Sequence, residues 1–317
     1  NYSLHGDTVD VVNEKEGEMT LLGRNVRLRK HHYTKQDEAL TLNDSPYYLR
    51  YIQKRDVEPK NAKDLSHIPG KHVFCGDSQS VMRSFKKDFF DAAVTSPPYY
   101  NAKDYSQWVN IYCYLFDMYN NAREVHRTLK PGGLYLYNIF DYFDNERNVV
   151  FSAMGKKRMI LGSYVVHMFE QAGFKLEKNI VWYKGHIQGN RNFNQGNSVP
   201  YYQAPLNCYE HILAFRKPGK PIELNSLPNI LDAKPVFKMV NGKNILGHTA
   251  PFPFDIPNLI FDNLKEGSRV LDPYAGSFST LRSPLSDKFD VYGIEQSEEY
   301  CQLGLKLIES EKWRLQV

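Results

Sequence analysis

The sequence is poor in cysteine and contains no long apolar run. Its four cysteines are widely scattered and form no CxxC pair, which argues against a zinc site or a disulfide framework and favours a reducing compartment. No stretch of about 18 apolar residues occurs, so we expect no membrane-spanning helix, and no signal-peptide pattern is present. We therefore expect no bound metal and a cytoplasmic location.

Charge is nearly balanced over the whole chain but not along it. The formal net charge is +4 for 317 residues, and the first 70 residues carry eleven basic and eleven acidic side chains. Residues 151–220 carry ten lysines and arginines against three acids, a net charge of +7. This basic block suits a polyanionic partner, with nucleic acid the first candidate. A basic surface that is merely solvated is the alternative.

From residue 71 onward, short apolar segments alternate with segments of helical periodicity. This alternation predicts a doubly wound α/β fold, with a mostly parallel sheet covered by helices on both faces. The predicted strands are 72–75, 90–94, 134–139, 174–183, 209–215, 269–271 and 289–294. The predicted helices are 78–85, 106–129, 158–172, 257–264 and 297–311, with a further short helix after residue 278. Asp77 or Ser78 is expected to cap the first helix, and Pro131-Gly132-Gly133 to end the second.

Polar segments outside this alternation divide the chain. Residues 1–70 are weakly periodic, and we expect them to form an N-terminal extension or arm before a catalytic domain at 71–317. Within that domain, residues 185–207 form a loop rich in Asn, Gln, Gly and aromatics, and 216–247 are expected to be irregular. Because loops of this length in a compact domain usually have a function or are disordered, we take 185–247 as the candidate target-recognition region.

A glycine-containing turn at 271–280 follows a predicted strand and precedes a predicted helix. Turns of this kind at the carboxyl edge of a doubly wound sheet bind nucleotides, and Gly276 would allow the backbone to approach a ligand closely. About 20 residues later, the next predicted strand ends in Glu295, an acid that can accept two hydrogen bonds from ribose hydroxyls. Together these features favour a ligand that contains adenosine.

A second unusual segment, Thr95-Ser96-Pro97-Pro98-Tyr99-Tyr100, directly follows the predicted strand at 90–94. Proline cannot donate a hydrogen bond to a strand ladder, so the two prolines must end that strand. The result is a stiff loop at the carboxyl end of a strand. From these residues alone, a rigid turn with surface aromatics is an equal alternative.

These two segments resemble motifs of the amino-methyltransferases that use S-adenosylmethionine to modify DNA. Residues 272–280 resemble the cofactor motif D-P-F-x-G-S-G-T, and residues 95–99 resemble the catalytic motif (D/N/S)-P-P-(Y/F/W). The catalytic motif comes first, as in the circularly permuted β class. Further segments match in the family's order, namely 76–78, 129–133, 182–184, 210–217 and 248–253. The resemblance covers about residues 70–312 and implies a permuted, Rossmann-like methyltransferase fold.

The resemblance implies direct transfer of a methyl group from S-adenosylmethionine to the exocyclic amino group of a base flipped out of double-stranded DNA. The Ser96 hydroxyl and the Pro97 carbonyl would accept hydrogen bonds from that amino group, Pro98 would help to fix the carbonyl, and Tyr99 would stack on the base. The implied cofactor-binding residues are Asp272, Pro273, Tyr274, Gly276, Ser277, Glu295, Asp77 and His248. The candidate DNA-binding residues from the basic block are Lys156, Lys157, Arg158, Lys184, Arg191, Asn192 and Phe193.

The identity of the target base rests on one position of the catalytic motif. Ser96 favours the cytosine-N4 enzymes, since the adenine-N6 enzymes more often carry Asp there; adenine N6 is the alternative. Phe278 departs from the pattern, because it stands where the family has the second glycine of the cofactor turn. We expect so bulky a residue to weaken cofactor binding or to shift the turn, which leaves open a DNA-binding protein with weakened or lost catalysis. Further partners considered are a second copy of the chain and a cognate restriction endonuclease that does not contact it directly.

Overall fold

The computed structural model describes residues 62–100, 111–141, 160–185, 208–221, 227–236 and 251–310, together with six short strands outside these ranges. The chain forms two compact units. The first comprises Asn1–Val57, Pro98–Ala122 and Asp141–Met168, and the second comprises Glu58–Pro97, Arg123–Phe140 and Phe169–Val317.

The second unit therefore includes residues 58–70, which the sequence assigned to an N-terminal arm. The reason is local hydrogen bonding. The Asp64 carboxylate accepts a bond from the backbone N–H of Val73 at 3.1 Å and lies 2.6 Å from Nδ1 of His72. The backbone N–H of Leu65 donates to the carbonyl of Val73 at 2.8 Å. Asp64 and Leu65 are thus attached to the first strand of the main sheet.

Two small antiparallel pairs of strands lie in the first unit. Strand β1 (Thr8–Val9) pairs with β4 (Leu40–Thr41), and β2 (Glu18–Leu21) pairs with β3 (Arg24–Arg27). In the same unit, the buried ring of Tyr100 packs on that of Tyr114, with the ring centroids 5.6 Å apart.

The second unit is built on an eight-stranded sheet with the order β10-β8-β9-β7-β6-β13-β14-β5. All of its neighbouring strands are parallel except where β9 runs antiparallel to both β7 and β8. This arrangement confirms the predicted mostly parallel sheet. The strands are β5 (Lys71–Cys75), β6 (Phe90–Thr95), β7 (Leu129–Ile139), β8 (Lys175–Tyr183), β9 (Tyr209–Arg216), β10 (Ile230–Asp232), β13 (Arg269–Asp272) and β14 (Asp290–Glu295), and a separate hairpin consists of β11 (Met239–Val240) and β12 (Lys243–Asn244).

The helices agree with the predicted ones apart from their ends. They are α1 (Ser78–Met82), α2 (Ile111–Thr128), α3 (Leu161–Gln171), α4 (Asp255–Phe261), α5 (Ser279–Arg282) and α6 (Glu298–Glu309), and a 3-10 helix covers Pro284–Lys288. The predicted cap of α1 is confirmed, because the Asp77 carboxylate accepts a bond from the Ser80 N–H at 2.9 Å. In the described part of the chain, no helix combines the length and apolar character that crossing a membrane requires.

The prediction that Pro131-Gly132-Gly133 ends a helix reaching residue 129 is wrong. Helix α2 ends at Thr128, and all three residues lie within β7. They are accommodated by a bulge, since Phe90 pairs with Leu129 whereas Ala92 pairs with Leu134. Gly132 takes a positive φ of 77°, and its N–H donates to the carbonyl of Lys217 at 3.0 Å. Tertiary pairing thus makes a strand of residues whose local preference is to interrupt one.

The prediction of irregular structure throughout 216–247 is also wrong. Strand β10 adds a parallel edge to β8, with Ile230 opposite Val181. The Trp182 indole N–H fixes the far end of this pairing by donating to the carbonyl of Ala233 at 2.7 Å. A three-residue strand is too short for hydrophobic alternation to reveal it.

The direction of the chain connections reverses at the centre of the sheet. Strands β6 and β13 are parallel neighbours, with Val270 opposite Ala92 and Leu271 opposite Ala93. From β13 the chain continues to β14 on one side, whereas from β6 it continues to β7 on the other. Such a reversal of direction opens a ligand-binding crevice outside the carboxyl ends of the two strands. The loop after β6 and the turn after β13 both begin there.

Candidate functional site

A fully buried carboxylate joins the ends of the two central strands. Asp272 ends β13 and is 0% exposed. Its Oδ1 accepts hydrogen bonds from Thr95 Oγ1 at 2.8 Å and from the Tyr274 backbone N–H at 3.2 Å. Its Oδ2 accepts one from Thr280 Oγ1 at 2.5 Å. Since Thr95 immediately precedes Ser96, the proline loop starts beside the glycine turn.

Burial dominates the electrostatics of this carboxylate. Removal from water raises the pKa of Asp272 to about 6, although the three hydrogen bonds oppose that change by favouring the charged form. The nearby negative charge of Glu295 adds to the increase in the pKa. Asp272 is therefore an acid whose proton affinity lies close to the neutral range.

A second carboxylate lies one strand further along. Glu295 ends β14, and its Oε2 accepts from the Gly276 backbone N–H at 3.0 Å while its Oε1 accepts from the Ser297 N–H at 2.9 Å. Burial raises the pKa of Glu295, and the backbone N–H groups oppose that shift. Each carboxylate oxygen can accept more than one hydrogen bond. Glu295 therefore holds the glycine turn in place and still has lone pairs for a ligand.

Phe278 has the left-handed backbone conformation that a glycine would be expected to adopt at this position of the turn. Its φ and ψ are 60° and 37°, in the left-handed region, and its side chain is fully buried. The turn is closed by hydrogen bonds from the Phe278 N–H to the carbonyl of Ala275 at 2.6 Å and from the Ala275 N–H to the carbonyl of Ile294 at 2.9 Å. The ring belongs to the buried hydrophobic core, together with Leu281.

The other predicted cofactor residues mostly lie around the same turn. Pro273 and Ser277 are buried, and Tyr274 and Gly276 are half-buried. Asp77 lies near them, because the N–H of the preceding residue, Gly76, donates to the backbone carbonyl of Glu295 at 2.8 Å. His248 lies outside the described residues.

The structure divides the predicted catalytic loop between the two units. Ser96 and Pro97 belong to the second unit, where Ser96 is half-buried and Pro97 is buried. Pro98 and Tyr99, both half-buried, belong to the first unit. The second unit thus contributes the two residues whose oxygen atoms were predicted to face the amino group.

Sequence patterns assigned no role to Thr95, Arg282 and Tyr135, and they did not reveal the environment of Ser277. In the sequence, Thr95 was noted only as the first residue of the catalytic motif. Its hydroxyl group at the end of a strand was the signal that could have indicated a role in the site. The Ser277 hydroxyl was assigned, but not its environment: it is buried and has no hydrogen-bond partner among the described residues. Arg282 is also buried, its Nη1 lies 3.4 Å from the Ser277 carbonyl, and burial lowers its pKa to about 10. Tyr135 has a buried hydroxyl, and burial together with the charge of Asp272 raises its pKa.

Of the predicted DNA-binding residues, the structure describes only Lys184. Its Nζ lies 2.6 Å from Glu210 Oε1, and its side chain is only 12% exposed. The second oxygen of Glu210 accepts from Asn138 Nδ2 at 3.0 Å. A contact of Lys184 with DNA phosphate stays a prediction, and its charge is already balanced by Glu210. Lys156, Lys157, Arg158, Arg191, Asn192 and Phe193 lie outside the described residues.

Comparison with known proteins places this site in a family. The family model described as DNA methylase, of the N6/N4 methyltransferases, matches residues 90–306. The type II beta methyltransferase M.BslI of a Bacillus species (strain NEB-606) is 45% identical over 275 residues, which make up 83% of this chain and 30% of the relative. The chain therefore spans less than a third of the length of that relative.

Solved structures share the fold. The PvuII DNA methyltransferase, described as cytosine-N4-specific, superposes with a TM-score of 0.60 at 18% identity, over 76% of this chain and 87% of that one. TTHA0409 of Thermus thermophilus, provisionally described as a DNA modification methylase and solved with S-adenosyl-L-methionine, gives a TM-score of 0.52 at 22% identity, over 76% of this chain and 96% of that one. At these identities the likeness establishes the Rossmann-like methyltransferase fold. The match of the family model over residues 90–306, together with the 45% identity to M.BslI, shows that this chain belongs to the N6/N4 DNA methylase family.

Proposed function

We propose that this chain binds S-adenosylmethionine and methylates an exocyclic amino group in DNA, with the N4 atom of cytosine as the target. The observation that carries the proposal is the hydrogen bond between Thr95 Oγ1 and Asp272 Oδ1, 2.8 Å long, across 177 positions of the chain. It brings the start of the Ser96 loop next to the turn around Gly276. A methyl transfer must bring the target amine and the cofactor together. The loop proposed to bind the amine and the turn proposed to bind the cofactor both begin at the carboxyl ends of neighbouring strands.

The residues of the turn fit such a cofactor. Glu295 is fixed by two backbone N–H groups and has lone pairs for the two hydroxyls of a ribose. The Ser277 hydroxyl is buried without a partner among the described residues, and buried polar groups normally have one. Asp272 has both oxygens bonded within the protein, so we assign it the role of fixing the turn against β6. When bound, the cofactor supplies an electrophilic methyl group on a cationic sulfur.

The catalytic task of the chain is to make a poor nucleophile react. The lone pair of the exocyclic amine is delocalised into the base, and acceptors that hold the amino hydrogens localise it on nitrogen. The Ser96 hydroxyl and the Pro97 carbonyl are the acceptors of this proposal. Because proline restricts the backbone, the direction of the carbonyl is set before the base arrives. Tyr99 would stack on the flipped base, and no covalent bond between protein and substrate is required.

Ser96 supports cytosine N4 over adenine N6, since the N6 enzymes resembled by this motif more often carry Asp. Adenine N6 is the second candidate, because the family that matches residues 90–306 covers both kinds of amino group. A third candidate, a DNA-binding protein with weakened catalysis, rested on Phe278. The burial of the Phe278 ring in the core favours a turn that is still able to hold a cofactor.

Double-stranded DNA is the proposed substrate, and the basic block at 151–220 is the proposed contact surface. Lys156, Lys157 and Arg158 would neutralise phosphates. Arg191, Asn192 and Phe193, in the proposed target-recognition region 185–247, would contact bases. Action on DNA implies a cytoplasmic, nucleoid or nuclear location. Homodimer formation and a cognate restriction endonuclease that makes no direct contact are further proposals.

The test is to incubate the chain with a mixed-sequence DNA duplex and labelled S-adenosylmethionine, then to identify the modified nucleoside by mass spectrometry. We expect N4-methylcytosine. The Ser96→Ala variant should lose about 100-fold or more in transfer rate, while its cofactor affinity by calorimetry stays unchanged.

Three other outcomes are informative. N6-methyladenine would select the second candidate. No product and no heat at millimolar cofactor, with DNA still bound, would select the third. Unchanged transfer by Ser96→Ala would remove the serine from the catalytic role.

A further inference from the structure

Phe278 has a backbone conformation that residues with side chains rarely adopt, and it lies within the proposed cofactor turn. Among the described residues, only Asp88 and Phe278 combine a positive φ with a side chain. Left-handed backbone is unfavourable for bulky residues. A residue held in this conformation needs a compensating interaction in the folded chain.

The compensation is a slot that two glycines leave for the ring. A Cβ atom at Gly304, in α6, would lie 2.0 Å from Cδ2 of Phe278, and one at Gly293, in β14, would lie 2.8 Å from Cδ1. Both distances are shorter than real Cβ contacts. Neither glycine has a positive φ, so the space rather than the backbone explains their presence. Glycine inside a strand or helix is otherwise unfavourable.

Gly293, which forms one side of this slot, lies close to the two carboxylates of the site. Gly293 lies opposite Asp272 in the ladder between β13 and β14. Two positions after Gly293, Glu295 binds the Gly276 N–H. The Phe278 N–H donates to the Ala275 carbonyl, and its carbonyl accepts from the Arg282 N–H at 3.0 Å. The Phe278 backbone therefore makes the hydrogen bonds at the end of the turn, and the Phe278 ring fixes that end in the core.

We infer that Phe278 is a positioning residue: its ring, seated against Gly293 and Gly304, holds the cofactor turn in the left-handed conformation. The inference rests on the proposed cofactor role of the turn. A packed side chain thus replaces the conformational freedom of glycine as the means of forming the turn. The slot is expected to make the turn stiffer than a glycine turn would be.

Three variants and one control test this inference. Phe278→Gly relieves the backbone strain but empties the slot, and Phe278→Leu fills it partly in case the glycine variant does not fold. Gly304→Ala forces an atom into the ring's space. The control, Phe289→Ala, removes another buried core ring of the same unit, which stacks on Phe261 with centroids 4.9 Å apart. Thermal unfolding and calorimetric titration with S-adenosylmethionine are measured for each.

We expect Phe278→Gly and Phe289→Ala to lower Tm by comparable amounts, about 10 °C. In conditions where both are folded, Phe278→Gly should weaken cofactor binding by about tenfold or more, because the turn loses its position. Phe289→Ala should bind within about twofold of the parent. Phe278→Leu should fall between the parent and the glycine variant. A Phe278→Gly variant that binds as tightly as the parent, or more tightly, would overturn the inference.

The packing part of the inference is tested without the cofactor. Gly304→Ala should lower Tm in the parent but not in the Phe278→Gly background, where the slot is empty. Equal losses in both backgrounds would show that the ring does not use the slot. If the parent itself fails to bind the cofactor, the proposed function is contradicted. The coupling between residues 278 and 304 still decides whether the Phe278 ring is held in the slot.

Discussion

Acidic side chains lie at two places along the carboxyl edge of the main sheet, and their partners differ. At β13 and β14, Asp272 and Glu295 receive hydrogen bonds from hydroxyl and backbone N–H groups. At β9, Glu210 is paired with the ammonium group of Lys184 at 2.6 Å. In the described ranges, no Lys or Arg lies within ion-pair distance of Asp272 or Glu295.

The difference in partners is a difference in available charge. An acid held by neutral donors keeps its negative potential for whatever enters the crevice, whereas the charge of Glu210 is balanced within the protein. Opposite charges attract more strongly in a partly buried crevice than in water. The β13–β14 side therefore suits a cationic cofactor. The β9 side has the character of a structural ion pair, in which the loss of one partner leaves the other uncompensated.

The largest expected effect is a difference in cofactor affinity between variants of Glu295 and of Glu210. Glu295→Gln removes the charge and replaces one oxygen with an NH₂ group that cannot accept from a backbone N–H. Calorimetry should show cofactor binding weakened by about 100-fold or more. Glu210→Gln is the matched control on the other side, and it should bind within about twofold of the parent. Equal losses in the two variants would erase the distinction between the acids.

The second effect concerns the pH dependence of stability. The pKa of Asp272 is raised from 3.8 to about 6 in the folded chain, so the folded state holds a proton that the unfolded state has lost between these values. The stabilising contribution of Asp272 relative to Asp272→Asn is therefore complete below pH 4 and lost as pH rises through 6. The loss should total at most about 3 kcal/mol.

Urea unfolding of the parent and of Asp272→Asn at several pH values measures this difference. A difference in unfolding free energy that grows with pH would mean that hydrogen bonds from Thr95 and Thr280 outweigh burial. Thr280→Val removes one of those donors, and that bond favours the charged carboxylate. This variant should therefore extend the pH-dependent loss of unfolding free energy to higher pH.

The smallest expected effect tests whether Lys184 contacts DNA. Because Lys184 is paired with Glu210, Lys184→Gln should leave the slope of log affinity against log salt nearly unchanged. A phosphate contact would reduce that slope by about 0.9. Lys156→Gln, in the basic block, is the comparison and should show the reduction. Lys184→Gln is studied together with Lys184→Gln/Glu210→Gln, so that an uncompensated Glu210 is not mistaken for lost DNA binding. A reduced slope in both Lys184 variants would assign Lys184 to the DNA surface.

The sequence predicted the parts of the fold that local pattern and chemistry determine. Apolar alternation located the central strands, and the Asp77 cap of α1 followed from helix chemistry. Motif order predicted that the loop after β6 and the turn after β13 belong to one site, which agrees with the bond between Thr95 and Asp272. These features depend on a few adjacent residues.

What the sequence did not predict depends on distant residues. Leu129 continues a helical pattern, but its place in β7 follows from pairing with Phe90. The three residues of β10 form a strand because β8 offers them an edge. Phe278 looked like a defect in the turn, since the space for its ring comes from Gly293 and Gly304, 15 and 26 positions later. The roles of the predicted site residues stay predictions that the variants above address.

The order of strands in the sheet also affects how the chain can be made. Strand β13 inserts between β6 and β14, and β5 pairs with β14 in the described part of the sheet. While a ribosome synthesises the chain, one edge of β5 and one edge of β6 thus remain without ladder partners until β13 and β14 emerge. Open strand edges promote aggregation. Nascent chains stalled before residue 269 should therefore depend on chaperones, and the sheet should be completed only after β14 has emerged.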